Sequence, residues 1–355
     1  MVQKESEQQT GAVIPEMTLP EQNDRTFRYR VSVIITCYNQ EEFIGQAVKS
    51  ALSQETNFPF QVIVGDDAST DTSPQILEEL KTRYPDKLRV IRHPHNLGVL
   101  RNRPVIMREA DSPYLAMLDG DDYFTDCTQL QRKYDFLEQS RKYIGYFTGG
   151  YRMKNGVLGT QTDFETYDCF HSFGCEDALC NQYPGMPSGF FFRNLYRMDS
   201  QEFCERLEAV PSDAELPDLE KFLKVMDEAQ VDVSSKLPIV LGQLGEIYRN
   251  DHTPTYIYRD MAGTVSKHRD GLNYYKSRIA MQEMTRNLFG AEMKVTDQME
   301  DLVWNAFADA ARAHFRRTSI EMQQFLYMWN DGYFSKQRIC RLILHRASQK
   351  LMRHR

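Results

Sequence analysis

Two clusters of carboxylates stand out in the amino-acid sequence because each follows a short apolar run. The pair Asp66-Asp67 comes after QVIVG, and residues 119–122, Asp-Gly-Asp-Asp, come after YLAML. Ionised carboxylates that share one site repel each other unless a hard divalent cation lies among them. We therefore expect a metal site if the fold brings the clusters together. Turns and helix caps also use Asp in such positions, and for the pair 66–67 this alternative stays open.

The elements that must position these carboxylates alternate between strand and helix. Continuous apolar runs predict buried strands at 31–36, 61–64, 88–92 and 114–118. Apolar spacing predicts helices over 41–53 and 100–110, and Ser73-Pro74 predicts a further helix with Ser73 as its N-cap. This alternation indicates an α/β fold with a mostly parallel sheet flanked by helices, in which ligands bind at the carboxyl ends of the strands.

Composition excludes several other classes of protein. The chain has 355 residues, of which 41% are hydrophobic and 26% charged, so it is neither disordered nor fibrous. Its net charge of −7 argues against a nucleic-acid partner. It has no apolar run long enough to span a membrane and no signal-peptide pattern, so we expect a cytoplasmic protein.

The seven cysteines are scattered through the chain, which is typical of reduced thiols rather than of a disulfide framework. The ligand-type residues that cluster in sequence are Cys169, His171, Cys175 and Cys180. They lack the paired CxxC spacing of zinc sites, which favours ordinary thiols over a zinc site. His93 and His95 are interpreted as exposed loop histidines rather than as metal ligands.

Four sequence blocks, taken in order and spacing, resemble the GT-A catalytic domain of the family 2 glycosyltransferases, a Rossmann-like fold. The blocks are VSVIITCYNQEEFIGQAVKSALSQ, VIVGDDASTD, NLGV and YLAMLDGDDYFTD. The last of them, continued by LQRKYDFLE, is similar to bacterial enzymes that build capsular, lipopolysaccharide or other surface glycans. The resemblance covers residues 30–265 and is strongest over 31–140.

The resemblance implies an inverting transfer of a sugar from a nucleotide-sugar, expected to be a UDP-sugar, to an acceptor hydroxyl. In this family, the positions that match Thr36 and Tyr38 hold the nucleotide base, and the position of Asp67 accepts a hydrogen bond from the uracil ring. By the same resemblance, Asp121 would bind Mg²⁺ or Mn²⁺ on the diphosphate, with Asp119 near the ribose or the metal. The expected partners are the nucleotide-sugar donor and a glycan or lipid-linked acceptor.

An inverting transfer also needs a general base to take the proton of the acceptor hydroxyl. In the family, this base is an Asp that opens a helix before a Gly-x-Ile-x-Tyr strand, to which residues 245–248, Gly-Glu-Ile-Tyr, correspond here, followed by the Tyr-Arg pair 258–259. This spacing points to Asp232, with Asp218 as the alternative, while helix capping is the structural explanation for such an Asp. Residues 187–189, Pro-Ser-Gly, resemble the segment that lines the acceptor side or form a strand-entry turn.

The chain divides into a flexible lead-in over 1–27, the catalytic domain over 28–265 and a helical C-terminal region over 266–355. Residues 335–355 carry seven Lys or Arg and no acid, and their apolar spacing predicts a basic amphipathic helix. This helix would either pack on the acidic body or make peripheral contact with an anionic membrane leaflet, with the oligomeric state left open.

Two other functions stay open on the sequence alone. A sugar nucleotidyltransferase would use a similar sheet and cation, but it would need a Gly-rich phosphate loop where residues 36–39 read Thr-Cys-Tyr-Asn. The GxGxxG motif of dinucleotide dehydrogenases is absent there too. The non-enzymatic alternative is a catalytically degenerate domain that serves as a scaffold in a glycan-assembly complex.

Overall fold

A computed structural model describes residues 27–161, 172–174, 186–208, 218–228, 237–250 and 253–260. The helices are α1 (Ile44–Leu52), α2 (Ser73–Arg83), α3 (Val99–Glu109), α4 (Gln129–Gln139), α5 (Ser200–Glu208), α6 (Leu219–Glu228) and α7 (Leu237–Gly242). The strands are β1 (Val31–Cys37), β2 (Phe60–Asp66), β3 (Leu88–Arg92), β4 (Tyr114–Asp119), β5 (Tyr123–Phe124), β6 (Tyr143–Thr148), β7 (Tyr151–Lys154), β8 (Val157–Gln161), β9 (Ser172–Phe173), β10 (Phe190–Arg193), β11 (Glu246–Asn250) and β12 (Tyr256–Asp260).

The main sheet of the described residues has the strand order β3-β2-β1-β4-β10-β6-β11-β9. Its first four strands are parallel, whereas β10 is antiparallel to both β4 and β6. A smaller sheet has the order β5-β12-β7-β8. Thr36 near the end of β1 pairs with Gly65 on one side and with Asp119 on the other, so the ends of the three central strands lie at one edge.

Apolar side chains cover both faces of the parallel strands, as the continuous apolar runs predict. In β1, Ile34 packs into a cluster with Ile63, whereas Val33 and Ile35 pack on the opposite face in a cluster that includes Val48 of α1. Full burial of each such side chain contributes about 1.5–3 kcal/mol. The two clusters hold the strand ends, and with them the carboxylates, in a fixed frame.

The structure corrects two details at the helix starts. α1 begins at Ile44 rather than at residue 41, because residues 41–43 form a turn in which the N–H of Phe43 donates a 2.9 Å hydrogen bond to the carbonyl of Gln40. The predicted N-cap Ser73 is wrong, since α2 includes Ser73 and the residue before it is Thr72. The Ser73 hydroxyl instead accepts a 3.0 Å hydrogen bond from the backbone N–H of Gln40.

Several predictions fall on parts of the chain that the structure does not describe. These predictions concern all but the last residue of the lead-in 1–27, the cluster of Cys169, His171, Cys175 and Cys180, the candidate base Asp232, and the C-terminal region 266–355. Among the described cysteines, Cys37, Cys127 and Cys204 are free thiols, and burial raises the pKa of Cys37 to about 12. None of the described helices is both long enough and apolar enough to cross a membrane.

Candidate active site

The end of β1 and the turn after β4 pack against each other at the edge of the main sheet. The Gly120 N–H donates a 3.1 Å hydrogen bond to the carbonyl of Thr36. A Cβ atom on residue 120 would lie 2.5 Å from the same carbonyl oxygen and 2.2 Å from Oε1 of Gln40. Glycine is therefore required between the carboxylates of the turn, which brings the predicted residues Thr36 and Asp119 together.

Asp119 forms an ion pair with a buried guanidinium from α3. The partner is Arg103, whose side chain is 8% exposed, compared with 21% for Asp119. The backbone N–H of Asp119 also donates a 3.1 Å hydrogen bond to the hydroxyl of Ser188. Arg103 thus compensates one negative charge at the strand ends, a role that its sequence position in a helix rich in arginine did not reveal.

Asp122 is buried behind the turn, with 1% of its surface exposed. The backbone N–H of Arg259 donates a 2.9 Å hydrogen bond to one carboxylate oxygen, and the Ser188 hydroxyl donates to the other. Burial, followed by the negative charges of Asp121 and Asp119, holds the pKa of Asp122 well above its usual range. Because protein donors contact both of its oxygens, Asp122 serves to fix the turn.

Asp121 is the carboxylate of the turn that is left for a ligand. Among the described residues, its side chain accepts a hydrogen bond only from its own backbone N–H. Burial and then the negative charge of Asp119 raise the pKa of Asp121 to about 6. Neighbouring carboxylates repel each other when both are ionised, and a divalent cation bound between them removes this repulsion.

The donor set fits a cation that takes its other ligands from a substrate. Within the described part of the chain, no group of three or more Asp, Glu, His or Cys side chains forms a metal cage. Mg²⁺ usually binds one or two protein carboxylates and completes its shell with substrate phosphates and water. Arg103 donates to one oxygen of Asp119, and no described residue donates to the other. Asp121, together with this second oxygen of Asp119, matches the pattern.

Arg259 on β12 closes the turn from the side of the smaller sheet. Its guanidinium donates to the carbonyl of Asp121 and to Oε1 of Gln46, the latter at 2.6 Å. The same group lies over the rings of Phe43 and Tyr123, 4.9 Å and 4.8 Å from their centroids. The Tyr-Arg pair identifies Arg259 in the sequence, but only the structure shows that Arg259 contacts the Asp-Gly-Asp turn.

Asp67, predicted to accept from a uracil ring, has protein partners on both oxygens. The backbone N–H groups of Leu97 and Gly98 donate to them at 2.7 Å and 2.8 Å. Gly98 has φ of 79°, which favours glycine, and α3 begins at the next residue. Asp67 therefore anchors the start of the helix that carries Arg103, and a carboxylate oxygen can still accept a further hydrogen bond.

The loops after β1 and β2 are tied together beside Tyr38, which is 47% exposed. Asn39 adopts a left-handed conformation with φ of 52°, and its side-chain oxygen accepts a 2.8 Å hydrogen bond from the N–H of Thr70. Next to it, the Glu41 N–H donates to the Asp71 carboxylate at 3.0 Å. These bonds set the backbone that presents the Tyr38 ring at the open edge of the sheet.

Of the two candidates for the general base, the structure describes Asp218. Its exposed carboxylate accepts a 2.7 Å hydrogen bond from the N–H of Lys221, so Asp218 caps α6. Asp232 lies outside the described residues. The predicted strand at 245–248 corresponds to β11, which pairs in parallel with β6.

The prediction for the loop histidines is wrong for His93. This side chain is 8% exposed, and its Nε2 lies 3.0 Å from the side-chain oxygen of Asn102. Asn102 in turn donates a 2.9 Å hydrogen bond to the carbonyl of Gly65. His93 therefore contributes to packing between β2 and α3, whereas His95 is exposed as predicted.

The sequence model of Glycosyl transferase family 2 matches residues 32–200, the segment that contains the carboxyl ends of β1, β2 and β4. Residues 32–200 are a family 2 glycosyltransferase domain. The minor teichoic acid biosynthesis protein GgaA of Bacillus subtilis is 32% identical over 137 residues, which cover 35% of this chain and 30% of GgaA. The Escherichia coli protein WfaP, a UDP-Glc:α-D-GlcNAc-diphosphoundecaprenol β-1,3-glucosyltransferase, is 32% identical over 116 residues, or 33% of this chain and 44% of WfaP.

The matched segments thus span less than half the length of GgaA and of WfaP. Among solved structures, residues 1–349 of S. aureus TarS in complex with UDP-GlcNAc superpose with a TM-score of 0.57. Sequence identity in this superposition is 18%, and it covers 85% of this chain and 80% of the TarS chain. The likeness establishes the fold as GT-A, in agreement with the fold class predicted from the sequence.

Proposed function

We propose that this protein is an inverting glycosyltransferase that moves a sugar from a UDP-sugar to an acceptor hydroxyl during surface-glycan synthesis. The observation that carries the proposal is the Asp121 carboxylate at the carboxyl end of β4, which lies beside Asp119 and accepts no hydrogen bond from any other described residue. The family match of residues 32–200, and relatives whose names refer to teichoic acid synthesis and to UDP-Glc, support the same activity.

In this proposal, Asp121 and the remaining oxygen of Asp119 hold Mg²⁺ or Mn²⁺, which supplies positive charge to the leaving diphosphate. Thr36 and Tyr38 bind the base, and Asp67 accepts from it while anchoring α3. Arg259 and Ser188 keep the turn in one conformation. An acidic edge of this kind would otherwise repel an anionic donor.

The first experiment measures UDP release from UDP-sugars in the presence of Mn²⁺ or Mg²⁺. We expect the Asp121→Asn variant to lose about 100-fold or more of the activity, since charge compensation at a phosphoryl oxygen provides several kcal/mol. Asp126→Asn is the matched control, because the described partners of the Asp126 carboxylate are Arg132, at 2.7 Å, and Thr128 rather than residues of the turn. If the wild-type protein neither releases nor binds UDP, the scaffold hypothesis replaces the enzyme, and pyrophosphate chemistry would instead indicate a nucleotidyltransferase.

The general base is proposed to be Asp232, with Asp218 as the alternative. Asp232→Asn should leave UDP affinity within a few-fold and lower transfer by about 10² to 10⁴, the usual effect of losing general-base catalysis. The capping bond of Asp218 predicts that Asp218→Asn affects stability more than transfer. The reverse pattern would make Asp218 the base, and the anomeric configuration of the product, read by NMR, tests inversion.

We also propose that the protein works at the cytoplasmic face of a membrane, through the basic segment 335–355, on a glycan or lipid-linked acceptor. Each Lys or Arg near an anionic surface contributes about 1 kcal/mol. Pelleting with vesicles of rising anionic-lipid content tests this, comparing the full chain with one that ends at residue 331. Equal binding by both would assign the segment to packing on the body.

A further inference from the structure

A buried lysine lies behind the turn that carries the carboxylates. Lys133 on α4 is 2% exposed, and its Nζ donates to Oε1 of Gln129 at 2.8 Å and to the Gly189 carbonyl at 3.1 Å. Burial, together with the positive charge of Arg132, holds the pKa of Lys133 well below its usual range.

The Gly189 carbonyl is the point through which Lys133 reaches the active site. The same oxygen accepts a 3.3 Å hydrogen bond from the Thr148 hydroxyl, which lies 2.7 Å from the hydroxyl of Thr255. A Cβ atom on residue 189 would lie 2.2 Å from the Thr148 carbonyl oxygen, so glycine is required there. Side chains of α4 and β6 therefore meet at this one carbonyl, and Thr255, before β12, is linked to it through Thr148.

The residue before Gly189 makes the contacts that matter for the turn. The Ser188 hydroxyl accepts from the backbone N–H of Asp119 and donates to the carboxylate of Asp122. Ser188 is 1% exposed and sits in a short 3₁₀ turn, Pro187–Gly189. Because the serine peptide is held through the next carbonyl, a shift of Gly189 would move the hydroxyl that bonds both aspartates.

We propose that Lys133 is a positioning residue of the transferase, which fixes the Gly189 carbonyl and thereby holds Ser188 against Asp119 and Asp122. This inference rests on the proposed function, since it assigns Lys133 to the support of the metal and nucleotide site. Partners one step removed from metal ligands typically change metal affinity or activity by about 10- to 100-fold when they are mutated. Ser188 is such a partner of Asp119, and because Lys133 acts through Ser188, we expect an effect near the lower end, about tenfold.

The test compares variants of the full chain by calorimetry with UDP and Mn²⁺. Lys133→Met keeps a long side chain but removes both donors, and we expect it to weaken UDP binding in the presence of Mn²⁺ by about tenfold or more. The control is Gln54→Met: Gln54 is 5% exposed, donates to the Asp126 carbonyl at 2.8 Å and accepts from Leu130 at 3.2 Å. This control should lower the melting temperature without changing affinity.

A second pair of variants covers the case in which Lys133→Met does not fold. Thr148→Val removes the other donor to the Gly189 carbonyl with little change of shape, whereas Thr148→Ser retains the hydroxyl. We expect the valine variant to lose affinity and the serine variant to keep it. A purely structural role would lower the melting temperature and leave affinity unchanged in both.

The outcomes separate this inference from the function on which it rests. Wild-type affinity in folded Lys133→Met would overturn the positioning role alone, and so would wild-type affinity in Thr148→Val if Lys133→Met does not fold. If the wild-type protein itself fails to bind UDP with Mn²⁺, the proposed function falls and the inference falls with it.

Discussion

The two carboxylate-bearing edges of the site differ in the hydrogen-bond donors that surround their carboxylates. After β2, backbone N–H groups satisfy Asp67, and hydrogen bonds from Thr72 hold the pKa of Glu41, on the loop after β1, below its usual range. After β4, burial and the charge of Asp119 raise the pKa of Asp121 to about 6. At the first edge, described residues donate hydrogen bonds to both oxygens of Asp67, whereas at the second edge no other described residue donates one to the carboxylate of Asp121.

The difference shows what distinguishes a structural carboxylate from one that is free for a ligand. An N–H donor stabilises the ionised form, so a carboxylate with two such donors supports the backbone. Ionisation of a buried carboxylate that lies near other carboxylates and has few donors destabilises the protein unless a cation binds beside it. Mutations at the two edges should therefore have different effects on stability and on binding.

The largest effect is expected for Asp121→Ala. Loss of the available carboxylate should abolish metal-dependent UDP binding, a change of about 100-fold or more, because the diphosphate charge stays uncompensated. Calorimetry with UDP and Mn²⁺ measures it, with Asp126→Ala as the control. Unchanged affinity with the metal still required would remove Asp121 from the site.

Asp67→Asn comes next and should act mainly on stability. Replacing the carboxylate weakens two charge-assisted hydrogen bonds to the start of α3, which costs about 1.5–3 kcal/mol in the free energy of unfolding. Urea denaturation measures that loss. If Asp67 also contacts the base, UDP affinity should fall more than pyrophosphate affinity, and equal losses for both ligands would contradict that contact.

A smaller effect of opposite sign is expected for Asp121→Asn in the metal-free protein. Since its folded-state pKa is raised to about 6, ionisation of Asp121 destabilises the fold as pH rises from the unfolded value through 6. The variant should therefore be more stable than the wild type by about 1–2 kcal/mol at pH 8, allowing for partial solvent screening. This gain should vanish near pH 3, where both states are protonated, and Mn²⁺ with UDP should reverse it at pH 8.

The smallest effect is expected for Glu41→Gln. The Glu41 side chain is exposed, and its bonds to Thr72 compete with water. We expect UDP affinity to change by less than about twofold, as for other exposed pairs. A tenfold loss in the same titration would show that the loops after β1 and β2 depend on this carboxylate to present Tyr38.

Much of the parallel half of the sheet could be predicted because it is encoded locally. Continuous apolar runs such as 31–36 and 114–118 predict buried strands. Because helices separate these strands, they are expected to be parallel, so that their polar carboxyl ends lie at one edge of the sheet. The sequence does not predict how β10 and the strands of the smaller sheet pair, because their partner strands lie far away in sequence. For example, β12 pairs with β5 and β7.

The same limit applies to the site. Asp119 and Asp121 are visible as a motif, whereas Arg103 and Ser188 acquire their roles through folding. Arginine in a helix usually faces solvent, and nothing near residue 103 indicates an ion pair with the next strand end. Ser188 was expected to line the acceptor side or to form a turn, and the structure shows it holding the backbone of Asp119.

The position of Arg259 has a consequence for synthesis on the ribosome. Its backbone N–H bonds to Asp122 across 137 residues, beyond the end of the segment 32–200 that defines the family domain. At about 5–20 residues per second, a nascent chain waits roughly 7–27 s between making the turn and making the strand that closes it. Until β12 is made, Asp122 lacks the donor that Arg259 provides, so the turn reaches its final hydrogen-bond pattern only after residue 259 has been synthesised.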